Sequence, residues 1–331
     1  MSMNVSPRPP LRRRQFNLGL GLAMATPATW AKSEDYPQKP LRWVVGFPAG
    51  GGTDVLARTV GAQLSAQMGQ TVYVENKTGA GGTLAAEHVA ASASDGHTLL
   101  TGDVAIMVFN RVLYPQVRYE PLRDFAPVGL MARFPLVIAT HPNSGIGALG
   151  QFTAAARRGQ ASYASAGVGT PHHLAMELLL SRAGLSAVHV PYRGDAPALQ
   201  DLLGGMVPVA VLAPSLSLPY VRSQKLQALA VTSERRLPQL PEVPTLAELG
   251  LVSEGVYAWQ GLVVPKKTPA GSLQRLSREL GTALSQAPVR SKLEELGMEV
   301  TPSDGPTLQA HVHAEQARWD PMIRSRGIKA D

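Results

Sequence analysis

The run Trp43-Val44-Val45-Gly46-Phe47-Pro48-Ala49-Gly50-Gly51-Gly52-Thr53-Asp54 constrains the fold more than any other stretch of the chain. Bulky, β-branched residues give way to three consecutive glycines; Val55, Leu56, Val60, Leu64 and Met68 then recur at helical spacing. The pattern predicts a strand, a Gly-rich loop and a helix N-terminus. First-turn N–H groups of such a helix have no intrahelical partner, and the helix dipole adds partial positive charge there. Glycine lets a ligand approach that backbone closely, so the stretch can seat an anion without a charged side chain. The same pattern also serves as a tight βα turn with no ligand, and this stretch alone leaves both open.

The pattern repeats along the chain. Thr71–Glu75 is expected as a second strand, followed by the Gly-rich turn Asn76–Thr83 and a helix over Leu84–Ala91. His97–Thr101 is expected as a third strand ending at Gly102-Asp103. Strands separated by helical patterns imply βαβ units and a parallel sheet, whose ligands sit beyond the carboxyl ends of the strands. That rule puts the Gly50–Asp54 loop and Thr101–Asp103 on one rim.

Apolar runs follow at Val128–Ala132 and Leu136–Thr140, and the turn cluster His141–Gly145 marks an expected crossing between domains. Beyond it a helix (Leu149–Ala156) and a strand (Ala161–Ser165) lead into Ala166-Gly167-Val168-Gly169-Thr170-Pro171, which opens a helix over His172–Ala183. This is a second strand–loop–helix unit, with hydroxyls at Ser165 and Thr170 and a proline where its missing N–H is harmless. Further strands are expected at Ala187–Val190, Val209–Ala213 and Leu226–Val231, with helices at Ala198–Leu203, Leu216–Ser223 and Thr245–Leu249. Trp259–Pro265 is expected to cross back, before helices over Ser272–Ser285, Val289–Leu296 and Thr307–Ile323 and a short strand at Met298–Thr301.

Charge narrows the partners. Of the 31 basic side chains, four arginines lie in residues 1–31, which hold no acid; the remaining 27 face 24 acids, a balance of +3. That excess is too small and dispersed to argue for nucleic acid. The chain has no cysteine, which excludes disulfides, thiolate metal sites and a cysteine nucleophile. Arg12-Arg13-Arg14, an apolar segment from Phe16 to Ala25 and small residues ending at Ala31 form an export-signal pattern. Arg13-Arg14-Gln15-Phe16 also fits a twin-arginine signal, with Sec export an open alternative. The mature protein is expected outside the cytoplasm, starting around Lys32.

Five segments occur in order: Phe47–Asp54, Glu75–Gly82, Ser165–Thr170, His189–Gly194 and Leu229–Ser233. Together they resemble the Bug-type extracytoplasmic solute receptors, the binding subunits of tripartite tricarboxylate transporters, over residues 36–329. The resemblance implies an α/β, type-2 periplasmic-binding-protein fold, with two domains joined by two crossover segments around a ligand cleft. The expected division is residues 32–140 plus 259–331 as one domain and 141–258 as the other. It also implies a monomeric, periplasmic, non-catalytic receptor that captures a small dicarboxylate, tricarboxylate or acidic amino acid and passes it to membrane permease subunits. No cofactor, metal or nucleic acid is implied. On the first side the ligand-binding candidates are Phe47, Pro48, Ala49, Gly50, Gly51, Gly52, Thr53, Asp54, Thr101 and Asp103. On the second they are Ser165, Ala166, Gly167, Gly169, Thr170, Pro171, His172, Gly194, Asp195 and Pro214.

Three positions depart from the family pattern. Val168 stands where an Asn is common, while Asp103 and Asp195 stand where small or hydroxyl residues are frequent. Such acids would repel a carboxylate unless turned away or paired. They therefore raise the alternative of a ligand that also carries a cationic group.

Other functions were weighed against the same residues. Gly50-Gly51-Gly52 with Glu75 downstream mimics a dinucleotide fingerprint, but the third glycine is missing and Asp54 would lie close to a pyrophosphate. No Gly-Lys-Ser/Thr phosphate loop exists, and Ser165 lacks the glycines of a nucleophile elbow. His173 with Glu177, and His311 with His313 and Glu315, follow no dedicated metal-site pattern. A sensor that presents its closed form to a membrane signalling protein remains the second function class. Phe47 and Trp259 either cover the ligand or pack at the domain junction, and Arg193 either charges the cleft or faces solvent.

Overall fold

The protein is described from a computed structural model over residues 1–3 and 36–330. Apart from its first three residues, the expected export signal lies outside the described residues. Eleven strands among these residues are β1 (Leu41–Val45), β2 (Val72–Asn76), β3 (Thr98–Asp103), β4 (Phe125–Pro135), β5 (Val137–Thr140), β6 (Ser162–Ser165), β7 (Val188–Pro191), β8 (Val209–Leu212), β9 (Gln227–Val231), β10 (Tyr257–Pro265) and β11 (Glu299–Val300). They form two sheets, ordered β11-β4-β10-β3-β1-β2 and β7-β6-β8-β5-β9.

In the first sheet β1 runs parallel to β2 and β3, while β10 pairs antiparallel with β3 and β4. In the second, β6 is parallel to β7 and β8, and β5 is antiparallel to β8 and β9. The parallel parts follow from the βα alternation read in the sequence. The buried strand β8 is accordingly a continuous hydrophobic run, and β1 is one apart from the half-buried Arg42.

The passage between sheets differs from the sequence expectation. Val137 pairs with Leu212 and Val231, so β5 belongs to the second sheet and the chain crosses at Leu136. The turn at His141–Gly145 comes after this crossing. Pro135 is the last residue of β4 and has no N–H to continue the ladder. On the return, Val256 N–H still donates to Thr232 O in the second sheet (2.9 Å), whereas Tyr257 already pairs with Pro135. The segment expected only to cross back is therefore a central strand of the first sheet. Its residues from Ala258 to Pro265 are all buried, which explains why a segment rich in Val and Leu serves as a strand.

One stretch without an expected element is helical, and one expected helix is not. Ala105–Phe109 forms one π-helical turn that continues into a helix over Asn110–Leu113. Ala105–Phe109 is apolar and buried throughout, so it lacks the amphipathic period that marks a surface helix. Thr245–Leu249 is a turn: Thr245 bridges Val231, and Leu246 N–H donates to Val231 O (3.0 Å).

The last helix, Gly305–Ser325, lies against the first sheet. Leu308, Val312, Trp319 and Ile323 form its buried stripe, at the helical spacing visible in the sequence. Glu315 on the same stripe accepts hydrogen bonds from the indoles of Trp259 and Trp319, each 3.2 Å. These bonds satisfy both ring N–H groups where they leave water. Trp319 also meets Phe109 edge to face, at 5.3 Å between centroids. Among the described residues no helix is long and apolar enough to cross a membrane.

Candidate ligand cleft

A helix over Gly52–Met68 follows β1 and another over Pro171–Ala183 follows β6. Both begin at the carboxyl ends of their strands, so loop sequence alone sets what each N-terminus presents. The first intrahelical bond of the Gly52 helix runs from Val55 N–H to Gly51 O, leaving the N–H groups of Gly52 and Thr53 outside the ladder. In the second helix Leu174 N–H bonds Thr170 O, the Thr170 hydroxyl accepts from His173 N–H (3.4 Å), and Pro171 has no N–H. The N–H of His172 is thus the one left without a capping bond.

The first turns of both helices line one enclosed cavity of about 40 Å³. From the side of the first sheet come Phe47, Pro48, Ala49, Gly51, Gly52, Thr53 and Asp103. From the side of the second come Ala166, Thr170, Pro171, His172, Gly194 and Asp195. Gly194 has φ +116°, and a Cβ there would lie 2.9 Å from Cγ of Pro48. Close approach of the two sides at this point therefore demands glycine.

The remaining sequence candidates lie outside the cavity wall and have structural partners. Gly50 donates its N–H to Asp54 Oδ2 (2.9 Å). Asp54 also accepts from Arg58 Nε (2.9 Å) and Asn76 Nδ2 (2.8 Å), which makes it the organiser of the loop. Burial alone would raise its pKa, but hydrogen bonds from Arg58, Gly50 and Asn76 outweigh that and hold the carboxyl below its usual range. Thr101 accepts a buried hydrogen bond from the indole of Trp43 (2.8 Å). Pro214 starts a helix and lies against Gly297.

Ser165 and the glycines of the second loop also act as supports. Ser165 Oγ lies 2.6 Å from Nε2 of His189 and accepts from Gly167 N–H (3.1 Å). Gly169 N–H donates to Nδ1 of His173 (3.2 Å). His173 and His189 stack at 3.9 Å between centroids, below the loop. Burial pushes His173 down to about 4; burial, with the neighbouring His173, pushes His189 down to about 3. Both rings are neutral near pH 7. Ser165 is fully buried, and its hydroxyl serves the loop backbone.

Four cavity residues were missed in the sequence: Phe134, Ala196, Ala258 and Gln260. Strand alternation could have found two of them. Ala258 and Gln260 flank Trp259 in β10, so when the indole turns toward Glu315 its neighbours face the other way. Trp259 accordingly packs against His311 and Glu315 of the last helix, whereas Phe47 lines the cavity. Arg193 lies in a larger outer chamber of about 550 Å³ at the cleft mouth, with Lys329. Arg58 is half exposed and pairs with Asp54.

The inner cavity has an unusual polar lining. Asp103 is 3% exposed, and Gln260 is 2% exposed with no partner for Oε1. His172 Nε2 lies 3.0 Å from Asp195 Oδ1, yet neither atom meets hydrogen-bond geometry, so the pair is a close contact without a hydrogen bond. Burial pushes Asp103 up to about 7, against the opposing effect of hydrogen bonds from the Ile106 and Ala105 N–H groups. No Lys or Arg lines this cavity. Among the described residues no group of three or more His, Cys, Asp or Glu is placed to hold a metal ion.

Residues 56–328 match the family model described as Tripartite tricarboxylate transporter family receptor. The chain belongs to this receptor family. A protein from the tcbD-tcbE intergenic region of Pseudomonas sp. strain P51 is 39% identical over 323 residues, covering 96% of each chain. Among solved structures, R. palustris Rpa4515 with adipate is 32% identical with a TM-score of 0.85, covering 89% of this chain and 99% of its own. The periplasmic binding protein BugD is 32% identical with a TM-score of 0.84, covering 89% and 100%. MatC from Rhodopseudomonas palustris with bound malate is 33% identical with a TM-score of 0.82, covering 87% and 100%. The receptor is an α/β protein with the periplasmic-binding-protein fold, and its family consists of solute receptors. The dinucleotide-enzyme alternative is thereby set aside.

Proposed function

We propose that the protein is a periplasmic receptor that closes on a small carboxylate and delivers it to the permease subunits of a tripartite tricarboxylate-type transporter. The observation that carries this is the meeting of two helix N-termini, at Gly52–Thr53 and Pro171–His172, on one enclosed cavity. Oriented N–H groups supply an anion seat at each, in a wall that contains no Lys or Arg. Related receptors with adipate and malate support the carboxylate class.

An enclosed space of about 40 Å³ takes about three waters, so a dicarboxylate enters only when the two sides part. The parts proposed to move are those built on the first and second sheets, with the flexing points at the sheet crossings near Leu136 and Val256. Val137–Thr140 then moves with the second sheet and Tyr257–Ala258 with the first, unlike the division at 140 and 258 expected from the sequence. The protein works as a monomer, exported by way of its N-terminal signal, the twin-arginine route being the proposed one.

Thermal unfolding with succinate, glutarate, adipate, malate and citrate tests this. Ligand at ~100 times its Kd stabilises the fold by about 2.7 kcal/mol, a clear rise in Tm. No shift with any of the five, nor with aspartate or glutamate, contradicts the carboxylate assignment. Gly194→Val should weaken binding by about tenfold or more, equivalent to ~1.4 kcal/mol, by holding the cleft away from Pro48.

A further inference from the structure

Two buried hydrogen-bond acceptors on the inner cavity lack a hydrogen-bond partner from the protein, and a third buried carboxyl, Asp103, lines the same wall. Asp195 Oδ1 and Gln260 Oε1 are buried and have no hydrogen-bond partner. Asp103 is buried and is the register partner of Gln260 across β3 and β10, with Oδ1 accepting from the N–H of Ile106 (2.9 Å), and it lines the same cavity. They come from three separate segments: the end of β3, the start of the helix Asp195–Leu203, and β10. Buried acceptors left unpaired are costly, and buried carboxylates without a counter-charge more so. His172 approaches only Asp195 and leaves Gln260 Oε1 unpaired.

A ligand carboxylate brings acceptors only, whereas an ammonium group brings three donors and a positive charge. We infer that the ligand is a zwitterion whose protonated amine is received by Asp103, Asp195 and Gln260, while its carboxylate meets the helix N-termini. This rests on the carboxylate-receptor proposal and narrows it to amino-carboxylates. Such a ligand brings donors and a positive charge to this cluster of acceptors as the cavity closes, whereas a plain dicarboxylate leaves Asp195 Oδ1 and Gln260 Oε1 unpaired. The outer chamber, with Arg193 and Lys329 at its wall, suits a second carboxylate pointing outward.

Isothermal titration of the purified protein with matched pairs tests the inference: succinate and aspartate, glutarate and glutamate, adipate and 2-aminoadipate, butyrate and 4-aminobutyrate. The amino member of at least one pair should bind roughly 10- to 100-fold more tightly than its partner, the range for a charged hydrogen bond. Asp103→Asn keeps an oxygen for Ile106 N–H but removes the charge; it should cost the amino member roughly 10- to 100-fold and leave the plain acid unchanged or tighter. Gln260→Leu provides a second variant, removing an acceptor without touching the Ile106 contact, and should act in the same direction. Plain acids binding as well as amino acids in every pair, with Asp103→Asn without effect, would overturn the inference and leave the carboxylate receptor standing. No binding by either member of any pair would overturn both.

Discussion

The two loops that open onto the cleft perform equivalent tasks with different chemistry. The first, at Gly50–Asp54, is held by charge: Asp54 gathers Gly50, Arg58 and Asn76 around one buried carboxylate. The second, at Ala166–Thr170, is held by neutral groups: Ser165 on His189, Gly169 on His173, and the Thr170 hydroxyl on Gly167 O (2.8 Å). Each scheme fixes the angle of a helix N-terminus, yet they fail under different conditions. The first fails when a carboxylate is protonated, the second when an imidazole is.

Removing the centre of the first network should have the largest effect. Asp54→Ala leaves the N–H of Gly50 and the Asn76 amide without their charged acceptor and frees the half-exposed Arg58, at a cost of about 3–5 kcal/mol for two hydrogen bonds to a charged group. Urea denaturation checks this, and a loss below about 1 kcal/mol would refute the organising role of Asp54.

Acid should separate the loops next. His173 and His189 have lowered folded-state values, so they stay neutral in the fold while the unfolded chain takes up protons below about 6.5. Stability therefore falls as pH drops from about 6.5 toward 4, by about 3 kcal/mol for the buried His173 alone. Asp54 has a lowered folded-state value, so its contribution is present above the usual carboxylate range and is lost only as pH falls through that range and below. Hydrogen exchange between pH 7 and 4.5 should loosen Ala166–Thr170 before Gly50–Asp54; the reverse order would break the comparison.

The cap of the second helix comes third. Thr170→Ala loses the acceptor for His173 N–H and the bond to Gly167 O, for about 1 kcal/mol. Arg58→Ala should be the mildest, under about 1 kcal/mol, because its guanidinium is half exposed and Asp54 keeps its other two donors. Both are measured by the same denaturation series.

Much of this molecule can be read from local sequence. The strand–loop–helix units at Val45–Asp54 and Ser165–His172 carry their own punctuation, glycine or threonine before the helix and apolar spacing within it. Most of the strands and longer helices appear where periodicity and breakers place them, and the family resemblance supplied the two-sheet fold. What escaped depends on tertiary position. Ala105–Phe109 is buried throughout, and its uniform apolar sequence carries no helical phase. Val137–Thr140 looks like a continuation of β4, since nothing in an apolar run says which sheet it will join. Within the site, backbone-rich loops were legible, but Asp54 was assigned to the ligand because its loop partners, Asn76 above all, lie far along the chain. Gln260 was missed because its role depends on which way Trp259 turns.

The account's central claim is that the N–H groups of Gly52, Thr53 and His172 hold the ligand carboxylate. Amide NMR of the isotope-labelled mature protein, titrated with the tightest-binding acid of the panels above, tests it most directly. The expected result is that these three amides show the largest saturable downfield shifts, all with one dissociation constant. Saturable binding that leaves all three unmoved, with the largest shifts elsewhere, would contradict the account.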